Sequence, residues 1–220
     1  MKKKSKIGLF ILAGFLALLA ILCWWQRNNL KAVYLYLTLD EEAVTQQMEN
    51  IRNDHQTILE QEHSVIVRAP DRQQSDDLLD GKVSPEEVKE QLGITPAPTT
   101  TEPAKRTPEE LLNECVAELY ACKVDLMATL GGMKQALLDK WIALPPEART
   151  IARRTEMGMA ALEECYALEV VVDEQVEDIL DKYRPLLTEA GGDATVLDTL
   201  WVQYCEEKAA EKAYYLNKYL

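Results

Sequence analysis

The residues best suited to covalent chemistry in this 220-residue chain are four cysteines of its C-terminal half: Cys115, Cys122, Cys165 and Cys205. Each falls on the apolar stripe of a helix predicted by hydrophobic residues spaced three or four apart. At 1.5 Å per residue from an expected turn at Pro145, Cys122 lies about 34 Å down one helix and Cys165 about 30 Å down the next. Cys115 and Cys205 both lie about 44 to 48 Å down. These levels predict two interhelical disulfides: Cys122 to Cys165, and Cys115 to Cys205.

The same cysteines admit two other interpretations. They could be buried free thiols, because cysteine is among the residues most often found in protein cores. A zinc site fits less well, since Cys115 and Cys122 are about 10.5 Å apart along one helix and each thiolate must approach zinc to about 2.3 Å. We therefore predict no metal and no cofactor. We interpret the fifth cysteine, Cys23, as a tolerated apolar residue.

Acid–base and nucleophilic chemistry has little support in the sequence. The two histidines, His55 and His63, are eight residues apart and match no helical pair of metal ligands, so we interpret both as solvated. The sequence contains neither a Gly-x-Ser-x-Gly elbow nor a glycine-rich phosphate loop. We predict no catalytic residue and no enzymatic activity. An envelope hydrolase or transferase with an unrecognised site is the alternative.

The C-terminal sequence KAYYLNKYL places three tyrosines close together. Tyr214, Tyr215 and Tyr219 fall on more than one face of a helix, so some of them are expected to be exposed. Exposed tyrosines often anchor protein contacts. We therefore treat this end as a candidate binding surface for another protein. The alternative is that these rings cover an open flank of the first long helix.

Three long helices are expected to position the cysteines and tyrosines within residues 107–220. The first starts at the cap Thr107-Pro108 and continues toward Pro145, with Gly131-Gly132 as a weak point where a kink could form. Pro145 and Pro146 begin the second helix, and a third begins at Asp193. Two tight turns between long helices force antiparallel neighbours. We therefore predict an all-α fold containing an elongated antiparallel three-helix bundle.

Residues 28–94 are predicted to form a membrane-proximal helical segment, joined to the bundle by a proline- and threonine-rich linker at 95–106. A cap at Ser84 starts a small helix in this segment. Within residues 37–62, apolar residues follow a seven-residue repeat that has His55 in its seam. This repeat predicts either a coiled coil that pairs with a second copy as a weak homo-oligomer, or an amphipathic helix lying on the chain's own surface. We favour the second interpretation.

Residues 1–27 are typical of a cytoplasmic lysine cluster followed by a transmembrane anchor. Four lysines precede an uncharged apolar run at 7–25, which would span about 28 Å of the lipid bilayer as a helix. The alternative is a cleaved signal, which needs a shorter apolar region and small residues before the cut. The lysines predict a single-pass protein of the cell membrane with a cytoplasmic N-terminus and an extracytoplasmic C-terminal domain, in a compartment where disulfides persist.

The charge of the chain restricts its partners. The sequence contains 37 acidic residues against 24 Lys and Arg, giving a formal net charge of −13. Such a charge repels the phosphates of nucleic acid, so we predict no nucleic-acid binding. A protein partner is expected to be basic or neutral, and cation binding by the acidic faces is a further possibility. Solubility alone is the simplest explanation of the charge.

The segments SPEEVKEQLG and KAYYLNKYL, together with the overall layout, resemble uncharacterised membrane-anchored proteins of Gram-positive anaerobic bacteria. This resemblance implies a bacterial cell-surface location and carries no known activity or site. We therefore expect a membrane-anchored, extracytoplasmic helical interaction module of the cell envelope, which binds an unknown envelope protein and is not an enzyme.

Overall fold

The computed structural model describes residues 27–94 and 106–219. Within these ranges the regular secondary structure consists of helices and there is no strand, which confirms the predicted all-α class. The helices are α1 (Arg27–Thr38), α2 (Glu41–His63), α3 (Arg72–Leu79), α4 (Pro85–Gln91), α5 (Pro108–Ile142), α6 (Ile151–Glu189) and α7 (Val196–Tyr219), with a 3₁₀ turn at Pro146–Ala148. The predicted membrane span at 7–25 lies outside the described residues. Among the described helices, none is long and apolar enough to cross a bilayer.

Reciprocal caps start α4 and α5 where the sequence predicts them. The side chains of Ser84 and Thr107 each accept a hydrogen bond from the backbone N–H three residues later. Glu87 and Glu110 in turn accept a hydrogen bond from the backbone N–H of the capping residue. Each cap thus satisfies two donors that the first helical turn leaves unpaired. A third such box starts α3 and was not predicted.

The described helices belong to two compact units that do not follow the predicted domain boundary. Of the described residues, unit 1 combines 27–55 with 202–219, and unit 2 combines 56–94 with 106–201. Residues 95–105 of the predicted linker lie outside the described residues, and the described segments before and after them both belong to unit 2. Ion pairs join the segments on its two sides: Asp80 with Lys134 at 2.6 Å, and Lys89 with Asp125 at 2.5 Å.

In unit 2, α5 and α6 form the antiparallel pair that the sequence predicts. The sulfur of Cys122 lies 3.6 Å from the side-chain oxygen of Gln175. Four residues earlier in α5, Glu118 contacts Tyr183, which lies eight residues later in α6. Contacts that advance in opposite directions along the two helices establish the antiparallel arrangement.

Helix α3 packs against α5 at Gly131, where the sequence suggested a weak point. A Cβ atom added to Gly131 would lie 2.7 Å from the carbonyl oxygen of Leu78 and 2.9 Å from that of Leu79. These distances are too short for any other residue, so the absent side chain lets the two backbones approach. The helix itself continues without interruption to Ile142. Gly131 therefore serves packing rather than ending the helix.

The third predicted helix is present as α7, but its packing differs from the predicted three-helix bundle. Its first residues belong to unit 2, whereas residues 202–219 belong to unit 1. In unit 1 these residues share a core with α1 and α2, formed by Leu35, Val44, Met48, Ala210, Ala213 and Tyr214. An apolar stripe can pack on any complementary helix, so the sequence pattern did not select this partner.

Part of the apolar seam predicted within residues 37–62 is buried against other helices of the chain. Val44, Met48 and His55 are buried, while Leu37, at the start of the repeat, is exposed. The first part of α2 is thus the amphipathic helix that we favoured. Val44 and Met48 of this seam lie in the core that α2 shares with α1 and α7, and Ile51 packs against that core.

Candidate functional site

An open groove with a volume of about 500 Å³ runs between α5 and α6 on unit 2. The side chains that line it recur every three or four residues, so each helix contributes one face. Its apolar lining includes Ala121, Cys122, Leu126, Leu168, Val171 and Ile179. Its charged lining residues are acidic: Glu118, Asp125 and Asp178. The groove therefore combines an apolar surface with negative charge.

Glu118 ties the two walls of the groove together at one end. Its carboxylate accepts a hydrogen bond from the Tyr183 hydroxyl at 2.9 Å and pairs with the Lys182 ammonium at 2.5 Å. Tyr183 is buried, and burial together with the hydrogen bond to Glu118 raises the pKa of its hydroxyl above the usual range. The hydroxyl therefore stays protonated and donates to Glu118. This contact holds α6 against α5.

Asp125 connects the groove to the small helix α4. Its carboxylate lies 2.5 Å from the ammonium of Lys89, whose side chain is 24 % exposed. Val88, the preceding residue of α4, is buried. The α4 segment thus supports the wall of α5 through both burial and an ion pair. Ion pairs at this degree of exposure contribute little to stability, about 1 kcal/mol or less, so the pair mainly fixes position.

The thiols near the groove are poor nucleophiles. Burial, followed by the negative charge of Asp125, raises the pKa of the Cys122 thiol. Burial also raises the pKa of Cys165, and it raises that of the fully buried Cys115 to about 12. A thiol with a raised pKa is protonated at neutral pH and attacks electrophiles slowly. These side chains therefore act as apolar groups.

The predicted disulfides are not formed. The four cysteines that the structure describes are free thiols, and no two of them are close enough to bond: Cys115, Cys122, Cys165 and Cys205. Cys122 contacts Gln175, which is ten residues, or about 15 Å of helix, from Cys165. Cys205 belongs to unit 1, whereas Cys115 lies in the core of unit 2. The interpretation as free thiols therefore describes this structure.

The error in the first pairing comes from the connection between α5 and α6. The predicted pairing of Cys122 with Cys165 places a tight turn at Pro145, but eight residues separate Ile142 from Ile151. Arg149 stabilises this connection by donating hydrogen bonds to the carbonyl oxygens of Leu144 at 3.0 Å and Ile142 at 2.7 Å. These bonds satisfy carbonyls that the end of α5 leaves unpaired. The longer connection shifts the register of α6 against α5.

Of the three C-terminal tyrosines, the structure describes the side chains of Tyr214 and Tyr215, and neither is fully exposed. Tyr214 is 4 % exposed and belongs to the core of unit 1, so its interpretation as an exposed anchor was wrong. Tyr215 packs against that core, with its ring edge-on to Tyr214 at a centroid distance of 5.0 Å. The side chain of Tyr219 lies outside the described part of the chain. Tyr214 therefore belongs to the core of unit 1, and Tyr215 lies half-buried beside it.

A polar cluster around the buried His55 in unit 1 was not predicted. His55 is 8 % exposed, with Nδ1 3.3 Å from Glu207 and Nε2 3.5 Å from Glu206. Glu206 also pairs with Lys31 of α1 at 3.0 Å. The prediction of a solvated His55 was wrong, although its seam position between apolar residues already indicated burial. His63 is half-buried.

Comparison of the chain with protein-family models, with curated proteins and with solved structures found no match. The two nitrogens of His55 face different carboxylates, and within the described residues no group of three or more potential ligands is arranged to hold a metal ion. The groove is the better candidate site, because it is open and lined by apolar side chains that a partner could cover.

Proposed function

We propose that this protein is a membrane-anchored, non-enzymatic interaction module of the bacterial cell envelope. In this proposal, residues 7–25 hold the chain in the membrane, with the N-terminus in the cytoplasm and the helical units outside it. The observation that carries the proposal is the open apolar groove between α5 and α6. Its occupant is an envelope protein.

Exposed apolar side chains on the α5–α6 hairpin support a binding role. Val171 in the groove is 48 % exposed, and Ile151 at the start of α6 is 86 % exposed. Further exposed apolar residues on the same two helices are Leu138, Ile142, Met159, Leu162, Tyr166 and Val170. Large apolar side chains that recur along one surface element favour a protein contact, because covering them removes apolar area from water.

The chemistry of the groove also favours binding over catalysis. Two of its acidic groups, Glu118 and Asp125, are already held by internal lysines, and the thiol of Cys122 has a raised pKa. A general acid or base must be able to exchange a proton with the substrate and needs a pKa near the working pH. These groups instead fix the walls of the groove.

Photocrosslinking in intact cells tests the proposal. A photoreactive residue at Ile151 or Val171 of the full chain is expected to capture one identifiable envelope protein, since both side chains are exposed and apolar. The same probe at Glu177, an exposed polar position on α6, is the control and is expected to capture much less of that protein. Absence of capture from all three sites, together with turnover of an envelope substrate by the purified protein, would reverse the proposal in favour of an enzyme.

The proposed topology is tested separately. A reporter that is active only outside the cytoplasm, fused after Leu220, is expected to be active because four lysines precede the apolar run. Activity from a cytoplasmic reporter at the same position would contradict the orientation and with it the envelope location.

A further inference from the structure

The groove of unit 2 is long enough to bind one more helix of about three turns. Its α5 wall extends from Glu118 to Thr129 and its α6 wall from Leu168 to Ile179, which is about 16 Å on each side. That length corresponds to about three helical turns. Two antiparallel helices with an open apolar seam between them are the surface on which a third helix packs in bundles. The chain's own last helix is engaged elsewhere, because residues 202–219 pack in unit 1.

The charge of α6 restricts which helix fits. Between positions 155 and 181 the sequence has nine Asp and Glu residues and no Lys, Arg or His. Of these, Asp178 lines the groove and Glu164 lies one turn before Leu168 on the same side of the helix. A second copy of the chain would bring the same acidic surface against itself, which is repulsive. A partner with basic side chains would be attracted instead.

We propose that the groove binds an amphipathic helix of a protein partner, with an apolar stripe that enters the groove and Lys or Arg residues that flank the stripe. This proposal rests on the proposed function as an interaction module and names the class of its partner. Apolar residues at three- and four-residue spacing would contact Leu126, Val171 and Ile179, as in other complexes where a helix occupies a groove. The flanking cations would lie near the acidic wall of α6.

Two neighbouring residues of α6 provide a matched test of the site. Val171 lines the groove and is 48 % exposed, whereas Val170 is 58 % exposed and is not part of the lining. Asp178 and Glu177 form a second pair, since both are exposed and Asp178 alone lines the groove. The two substitutions of a pair therefore make the same kind of chemical change at similarly exposed positions. Only one of the two positions lines the groove. Any difference in binding therefore reports the groove.

The experiment measures binding of a fluorescent helical peptide to the full chain in detergent micelles. The peptide is about 18 residues long, with leucines three and four apart flanked by lysines; a second peptide carries glutamates in place of the lysines, and a third has a scrambled order. The lysine peptide is expected to bind, and its affinity should fall as the salt concentration rises. The other two peptides are expected to bind at least about tenfold more weakly than the lysine peptide.

The variants then locate the site. Val171→Asn and Asp178→Lys are each expected to weaken binding about tenfold, whereas Val170→Asn and Glu177→Lys change it less than about twofold. Equal weakening by Asp178→Lys and Glu177→Lys would mean non-specific attraction to negative charge, and equal weakening by Val171→Asn and Val170→Asn would mean non-specific apolar contact. Either result would overturn the proposal. So would loss of self-association on Val171→Asn in sedimentation experiments, since the occupant would then be a second copy. If the peptide does not bind while a probe at Ile151 still captures an envelope protein, the helix proposal fails and the interaction module stands.

Discussion

The polar cluster of unit 1 and the groove of unit 2 use similar side chains in different surroundings. In unit 1, His55 is buried and faces the carboxylates of Glu206 and Glu207, so polar contacts join helices that are far apart in sequence. In unit 2, acidic residues such as Asp178 line an open apolar groove between two helices that follow each other. The first arrangement closes a core, and the second leaves a surface.

The difference shows how burial decides what a charged group does. A buried polar group is costly when its partner is removed, so the contacts of His55 help to select which helices assemble. An exposed carboxylate is screened by water and contributes little to stability. Residues such as Asp178 are therefore free to serve recognition without weakening the fold.

The largest expected effect comes from removing the contacts of the buried His55 in unit 1. His55→Ala removes a buried ring and leaves Glu206 and Glu207 without that contact, so we expect unit 1 to lose about 2 to 3 kcal/mol of stability. Native-state hydrogen exchange of α2 and α7 in the full chain measures the loss. The neighbouring Asp54→Ala, at an exposed position, is the control and is expected to change stability by less than about 0.5 kcal/mol. Equal effects of the two substitutions would contradict a structural role for the cluster.

The next effect tests the scaffold beneath the groove. In Gly131→Ala the new methyl group would collide with the Leu78 and Leu79 carbonyl oxygens, so we expect unit 2 to lose about 1 to 3 kcal/mol. Gly132→Ala meets nothing within 4 Å and is expected to stabilise α5 by up to about 1 kcal/mol. Hydrogen exchange in α3 and α5 reports both changes. Destabilisation by Gly132→Ala, or none by Gly131→Ala, would show that α3 does not pack on α5 in this way.

The reactivity of two cysteines in unit 2 compares the open groove with the buried core. Cys122 lies in the groove, whereas Cys115 is fully buried with its thiol pKa raised to about 12. At pH 8 an alkylating reagent is expected to modify Cys122 at least about tenfold faster than Cys115, because thiolate and access are both required. Raising the pH should speed the reaction of Cys122, whose own pKa is raised, as more thiolate forms. Mass spectrometry of the time course measures both rates, and equal rates would mean that unit 2 opens readily.

The smallest effect concerns acid stability at the contact of Asp80 with α5. The ammonium groups of Lys134 and Lys82 lower the pKa of Asp80 from 3.8 to about 2. A lowered carboxyl pKa adds stability that is present above pH 4 and is lost as the pH falls toward 2. Asp80→Asn should therefore cost stability at pH 5 and almost none at pH 2, with a difference below about 1 kcal/mol because the pair is partly exposed.

Denaturant midpoints at pH 5 and pH 2 measure this difference. Glu86→Gln, at an exposed position of α4, is the control and is expected to change the midpoint little at either pH. A loss that persists unchanged at pH 2 would assign the effect of Asp80→Asn to lost packing rather than to charge.

The helices themselves were predictable because their signals are local. Capping at Ser84 and Thr107 involves side chains only three residues apart. The apolar repeat of α5 can be recognised within any two turns of the helix. The seam position of His55 contained the information for its burial as well. The groove was not predicted, since the third long helix was expected to cover that face.

The sequence by itself determined where α4 and α5 start and which side of each long helix is apolar, because those properties depend on residues within one or two turns of each other. Only the tertiary structure decided that residues 202–219 pack with α1 and α2, that α3 packs on Gly131, and that Cys122 lies beside Gln175. Several helices carry similar apolar stripes, so each could have packed in more than one way. The choice among them depends on connection lengths, such as the eight residues between α5 and α6, and on long-range contacts, such as those of His55 with Glu206 and Glu207. No local pattern contains either.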